Sequence, residues 1–312
     1  MESSPPRRAR PLLCGALAAV VVLAGTVHGT SRAHRAAGTV SSSSAAASGS
    51  ASPPAGEEAA VERVARPTVD RDALLARALR AVDVPDGARL SVGVLDLASG
   101  ESATYGTGAF DTASVVKVDI LCALLLRAQD AGRGLTAAER ADAAAMIEHS
   151  DNASASRLWR AIGGAAGLEA ANQRFGLTGT DGGDGMLWGL TRTTAADRLR
   201  LLRQVFGEDS ELGAASRAYM RTLMGRIAEG QRWGVSAAAD GSGWALKNGW
   251  LPRTATGLWD VNSVGRVTAG GRELLVAVLS DRHTTQARGI SVVEAAAVAA
   301  VSVFSGDDGA AD

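Results

Sequence analysis

The chain has 312 residues, with 32 Lys and Arg against 33 Asp and Glu, for a formal net charge of −1. That balance, with no long basic block, excludes a nucleic-acid binder, which needs a concentrated positive face. A hydrophobic content of 46% excludes disorder for the bulk of the chain and supplies a sizeable core. Only Lys117 and Lys247 are lysine, so the other 30 basic residues (32 − 2) are arginine. Arginine keeps its proton and lysine can lose it, which singles out these two positions.

Arg7, Arg8 and Arg10 precede an apolar stretch from Pro11 to about Val27, after which small residues begin. This is the pattern of an export signal, with Val27-His28-Gly29 as its cleavage site. The stretch falls just short of the roughly 18 residues of a spanning helix, and an uncleaved anchor is the alternative. The pair Arg7-Arg8 is a minimal twin-arginine feature. Leu13 is too large, and too little apolar chain precedes it, for Cys14 to be a lipidation site. From Thr30 to about Pro67 the chain is Ala, Ser, Gly and Pro with scattered charge, which buries too little surface to order itself and reads as a tether. The expected organisation is residues 1–29 signal or anchor, 30–68 tether, 69–304 one folded domain and 305–312 a frayed acidic tail. The two cysteines, Cys14 and Cys122, make no disulfide framework and have no Cys or His partner at metal-ligand spacing, so no metal and no cofactor is expected.

The folded part opens after Asp70 with an amphipathic helix in which Leu74, Leu75, Ala78, Leu79 and Val82 recur at helical spacing. Strands follow at 89–97 and 102–105, joined by the turn Ala98-Ser99-Gly100. Residues 113 to about 226 are mostly helical. Strands resume at 244–250, 258–267 and 273–280, and a last helix, 290–304, is apolar on nearly every side and is expected to be buried. This order predicts an α+β fold whose mostly antiparallel sheet draws on both ends of the chain. There is no internal repeat.

Three short motifs carry chemistry. In Ser114-Val115-Val116-Lys117, at a helix start, the i, i+3 spacing puts hydroxyl and ammonium on one face. A serine there needs a base, and a lysine held neutral by burial or by a second cation can serve. Alone, the same residues are better read as a capping serine and a surface lysine. Ser150-Asp151-Asn152 sits between a helix ending near His149 and one starting at Ala153, where a plain N-cap is the alternative. Lys247-Asn248-Gly249 lies on a strand and precedes Trp250. Its glycine lets a ligand approach the strand edge, whose backbone can pair with a peptide-like substrate.

In this order the motifs resemble the serine β-lactamases and penicillin-binding proteins, and the class A β-lactamases most closely. The resemblance runs from about residue 70 to 304. It includes Phe110 through Gly132, Gly163-Gly164, and Thr193-Thr194 opening a helix. It implies a five-stranded antiparallel sheet flanked by helices, packed on an all-helical subdomain with a cleft between. It further implies an exported serine hydrolase, secreted or anchored on the outer face of the bacterial cytoplasmic membrane and monomeric. Its substrate would be a β-lactam or a peptidoglycan-related small molecule. By position, Ser114 resembles the acylated nucleophile and Lys117 its base or proton relay. Ser150 passes the proton toward the leaving nitrogen beside Lys247, which also attracts the substrate carboxylate. Asn152 holds the substrate's amide side chain and Asp151 braces its loop. The backbone N–H groups of Ser114 and Trp250 form the oxyanion hole, worth about 3 kcal/mol per donor.

Two departures qualify the resemblance. Asn248 stands where Thr or Ser is usual, and its amide is expected to donate to a carboxylate instead. The family's deacylating glutamate is missing from the segment between Gly176 and Thr193. Its only carboxylates, Asp181 and Asp184, are flanked by glycine and read as turn formers. Glu169 and Asn172 come close in spacing but are expected on the solvated face of a helix whose apolar face is Leu168, Ala171 and Phe175. The implied enzyme is acylated and deacylates slowly. The alternatives are a D-Ala-D-Ala carboxypeptidase or transpeptidase, or a sensor module that stays acylated. His149 and His283 belong to no G-x-S-x-G or metal pattern, which argues against a Ser-His-Asp hydrolase. Cys122 is expected to be a buried hydrophobe. Trp188, Trp233 and Trp250 either line the cleft or pack, and Arg253 and Arg282 are candidates for further carboxylate contacts.

Overall fold

The computed structural model describes residues 69–305. The expected signal or anchor, the tether, Cys14, His28, His34 and the tail beyond Ser305 lie outside the described residues. In chain order the elements are α1 (Arg71–Ala78), β1 (Arg89–Asp96), β2 (Ser102–Tyr105), β3 (Phe110–Asp111), α2 (Val116–Asp130), α3 (Ala137–Glu148), α4 (Asn152–Ile162), α5 (Gly164–Phe175), β4 (Arg192–Thr193), α6 (Ala195–Phe206), α7 (Ala214–Met224), β5 (Trp244–Pro252), β6 (Trp259–Ala269), β7 (Arg272–His283) and α8 (Gln286–Ser302).

The main sheet has the order β2-β1-β7-β6-β5, and every neighbouring pair is antiparallel. β7 is its central strand. Leu274 through Leu279 are all at most 1% exposed, as a strand covered on both faces requires. It pairs with β1 from Arg89↔Asp281 to Asp96↔Leu274, joining the two ends of the folded chain. Alternation along β6 divides the faces. Asn262 reaches the turn before α2 and Arg266 lies over Phe206 of α6. Val261 meets α8 at Gly289, and the Ser263 hydroxyl accepts from the Val235 N–H at 2.9 Å.

The helical block is built around α2, whose residues from Val116 through Leu126 are all buried. Three helices of the block start on side-chain caps that satisfy orphan backbone N–H groups. Thr136 and Glu139 form a capping box on α3, Asp151 caps α4 and Thr194 caps α6. Asp119 of α2 and Arg198 of α6, each 1% exposed, form an ion pair at 2.5 and 2.8 Å across the block. Cys122 is buried in the core.

Two expectations are corrected. The last helix is one-sided: Val292, Val293, Ala296, Ala297 and Ala300 are buried, while Val298 is 50% exposed. Ala and Val do not reveal by composition which stripe of a helix finds a partner. Asn172 is not on a solvated face but is 1% exposed, and its Nδ2 donates to the Thr180 carbonyl at 3.0 Å. Glu169 is exposed as expected, and its carboxylate accepts from the Gln173 side chain.

Candidate active site

Ser114 lies in a 3₁₀ turn, Ala113–Val115, just before α2 rather than in its first α-helical turn. Ala113 carries φ 47°, a left-handed conformation that a residue with a Cβ adopts only when its surroundings impose it. Three elements impose it. The Thr112 N–H donates to the Thr191 carbonyl at 2.8 Å. The Asn262 amide donates to the carbonyls of Asp111 and Thr112 at 2.9 and 3.2 Å. β5 closes the third side at Gly249, where a Cβ would lie 2.7 Å from the Ser114 nitrogen and Thr112 oxygen. All these contacts are backbone, so Gly249→Ala must push the strand and the turn apart. A displacement of that size at a reacting centre costs about 100-fold in rate. Gly249→Ala is expected to slow adduct formation on Ser114 by at least that factor while far-UV circular dichroism stays native.

Lys117 and Lys247 are both without exposed surface. The Lys117 Nζ donates to the Ser150 carbonyl at 2.6 Å, the Ser150 Oγ at 3.0 Å and the Asn152 Oδ1 at 2.8 Å. The Lys247 Nζ donates to the same Ser150 Oγ at 3.1 Å and to the Asn248 carbonyl at 2.8 Å. One hydroxyl therefore bridges two amines contributed by α2 and β5. Ser150 holds this position in another left-handed conformation, φ 59°, just ahead of the Asp151 cap of α4. Burial pushes the Lys117 ammonium down to about 7, against a smaller opposing pull from Asp151. Burial, and then the charge of Lys117, pushes Lys247 well below the ordinary lysine range.

The cleft in front encloses about 560 Å³. Ser114 and Asn152 line its floor, residues 186–190 one wall, and Trp250 through Ala255 the other. Asn152 accepts from Lys117, and its Nδ2 hydrogens have no partner among the described residues. Lys117, Ser150, Lys247, Asn248 and Gly249 are not among the residues that line it, and Asn152 joins Lys117 to the lining. The expected role of Asn248 is corrected. Its side chain is fully buried, and its Nδ2 donates to the carbonyls of Gln231 and Trp233 at 2.8 and 3.0 Å. An amide whose two hydrogens are so engaged fixes the 231–233 segment and leaves none for a carboxylate.

The wall at 186–190 belongs to the segment in which the resemblance implies a glutamate and none is present. Asp181 forms a bridge with Arg192, the Asp184 carbonyl accepts from the Leu187 N–H, and both side chains are exposed. Two indoles hold the loop to α4. Trp159 Nε1 donates to the Gly185 carbonyl at 2.7 Å and Trp188 Nε1 to the Ser156 Oγ at 3.1 Å. The Trp188 ring lies 5.1 Å from the Lys117 Nζ. Trp250 lines the cleft with Trp233 tilted against it at 5.9 Å.

Arg253 lines the cleft rim but is paired with Asp111 at 2.5 Å, beside Asp260, whose carboxyl burial pushes up to about 7. Arg282 is exposed and 3.9 Å from Asp281. His283 is buried with no partner on either nitrogen, and neither histidine lines the cleft. Asn262, Thr191 and the tether from Trp188 to Ser156 were not foreseen. A lone asparagine inside an apolar strand was a usable signal for the first.

The sheet, the helical block and the cleft between them define the class A β-lactamase-like architecture. PBP-A is similar at a TM-score of 0.64 and 20% identity, over 74% of this chain and 96% of that one. A class A beta-lactamase from Bacteroides cellulosilyticus is similar at 0.65 and 16%, over 77% and 100%. A mutant of PBP-A, solved as an acyl-enzyme complex with penicillin-G, is similar at 0.62 and 22%, over 74% and 96%. In sequence, the "Putative lipoprotein LppW" of Mycobacterium tuberculosis is 32% identical over 260 residues, covering 78% of this chain and 83% of the relative. Residues 140–304 match the family described as "Beta-lactamase enzyme family", and the chain belongs to it.

Proposed function

We propose that this chain is an exported serine hydrolase acylated on Ser114 by β-lactams or related cell-wall amides, with slow deacylation. The observation that carries the reading is the Ser150 hydroxyl shared by Lys117 and Lys247, with Lys117 three residues beyond Ser114 in the chain. The Ser114 Oγ attacks the amide carbonyl carbon and its proton passes to uncharged Lys117. The backbone N–H groups of Ser114 and Trp250 receive the developing oxyanion. As the C–N bond breaks, Ser150 hands a proton to the leaving nitrogen and is reprotonated by a lysine. Asn152, with its free amide hydrogens, receives the carbonyl of the acyl side chain. Hydrolysis of the ester then needs an activated water, and among the described residues no Asp or Glu lines the cleft. Domain organisation enters this reading as a leader and tether ahead of a monomeric catalytic domain. Relatives named as lipoproteins fit a site of action outside the cytoplasmic membrane.

Incubation with penicillin G is expected to give a long-lived adduct of one penicillin mass on Ser114, followed by intact-mass spectrometry over time. Rapid turnover without an adduct refutes slow deacylation, and no reaction refutes the β-lactam reading. The cleft's lack of a carboxylate also fits a D-Ala-D-Ala carboxypeptidase or transpeptidase, or a sensor that stays acylated. Release of D-alanine from a D-Ala-D-Ala peptide separates the first two from the last.

A further inference from the structure

We propose that Trp188 is a positioning residue that shields Lys117 from cleft water and thereby keeps it in the uncharged form a base requires. Lys117 has no exposed surface although it lies one layer behind an open cleft. Trp188 lines that cleft, is itself half-buried, and presents its ring to the Nζ at 5.1 Å. It is therefore the side chain interposed between the amine and the solvent on the loop side. Its position is fixed by the Nε1 bond to Ser156 and by the tether from Trp159 to Gly185 on the same loop.

The ring acts on Lys117 in two opposed ways. Its face attracts a cation, which favours the ammonium. It also displaces the water that would hydrate the ammonium, and hydration of a full charge is the larger quantity. Burial is accordingly the leading cause of the depressed lysine value near 7. The remaining groups facing Lys117 come from other elements and stay when Trp188 is removed. From β5, Lys247 shares the Ser150 hydroxyl, and its own ammonium is pushed down by the charge of Lys117. From the start of α4, Asp151 favours the charge on Lys117, and the Ser150 and Asn152 oxygens accept from its Nζ. Asp119, on the same helix, is committed to Arg198. The proton state of Lys117 can be read without catalysis, so the inference rests on the proposed function only for its effect on rate.

Lys117 and Lys247 are the only lysines of the chain, so protein labelled with ¹³C at the lysine ε carbon gives two signals, assigned with Lys247→Arg. The Lys117 signal is expected to titrate near 7 in the native protein. In Trp188→Ala the midpoint is expected to rise by about one pH unit or more, and in Trp188→Phe to stay within about half a unit. Trp188→Gln carries the same expectation as Trp188→Ala and replaces it if that variant does not fold. The inflection of the acylation rate with pH is expected to move with the signal and to be restored by phenylalanine. A midpoint that stays put in a folded Ala or Gln variant, or that moves as far in Trp188→Phe, overturns the proposal. Absence of any penicillin adduct with a native-like titration rejects the proposed function and leaves this inference standing.

Discussion

Replacing Lys117 by arginine is expected to slow acylation of Ser114 by about 10²- to 10⁴-fold, the range lost when a positioned general base is removed. The guanidinium keeps the positive charge and keeps its proton, so it has no lone pair to receive one from Ser114. Three acceptors surround the Lys117 nitrogen, two of them carbonyl oxygens that only accept. As an ammonium it satisfies all three, and as a neutral amine it needs one to become a donor. Only the Ser150 hydroxyl can do so, which couples the protonation of Lys117 to the direction of the Ser150 proton. The pH dependence follows from the sign of the shift. With the lysine pushed down to about 7, the competent neutral form is scarce below that value and dominant above it. The acylation rate of the native protein is expected to climb about tenfold per pH unit below 7 and to level off above it. Stopped-flow or mass-resolved acylation measures both. A Lys117→Arg variant that acylates within a few-fold of the native rate, with its thermal midpoint retained, removes the base assignment.

The second large effect concerns stability. Arg198→Met is expected to cost about 3–5 kcal/mol, because it leaves the Asp119 carboxylate charged and unpaired in the core. Both members are 1% exposed and their bond is bidentate, so solvent does not replace the lost partner. The damage extends beyond the pair. Arg198 also donates to the Thr180 Oγ1 at 3.3 Å, and that hydroxyl bonds Thr193 and Asp197. Asp197 in turn accepts from the Gly179 N–H at 2.7 Å, so the base of the 180–193 loop hangs on this cluster. Urea denaturation measures the loss as a lower midpoint. The double variant Asp119→Leu with Arg198→Met is expected to recover most of it, since removing both charges removes the unpaired one. A double variant no better than the single would mean that packing, not charge, holds α2 to α6.

Much of this architecture is written in local pattern. Alternation marked β1 and β2 to within a residue, and the turn at Ala98-Ser99-Gly100 falls between them. Period and a capping residue placed α1 behind Asp70, and α4, expected from Ala153, starts one residue earlier behind the Asp151 cap. Of the motif residues, Lys117, Ser150 and Lys247 meet in one hydrogen-bond network, although Lys247 is 97 positions from the serine it bonds. What local pattern did not carry is which of two faces a polar side chain turns to. Asn248 and Asn172 each looked available to ligand or solvent, but Asn248 is spent on the carbonyls of Gln231 and Trp233 and Asn172 on that of Thr180. The 3₁₀ geometry at Ser114 and the positive φ of Ala113 and Ser150 are imposed by contacts from β5, β6 and the loop. No spacing within seven residues records a constraint of that kind.

Pairing β1 with β7 sets the order in which this protein can assemble. A strand near residue 92 finds its partner near residue 278, so the sheet cannot close until almost the entire domain has been synthesised. Contacts so distant in sequence must first overcome the entropy of closing a long loop, which slows folding and prolongs the exposure of apolar strands. The segment between them, from α2 to α7, is mostly helical. Lys117 and Ser150 belong to that segment, and Lys247 to the strand β5 that follows it. The two amines around the Ser150 hydroxyl therefore come together only once β5 has docked on the helical segment.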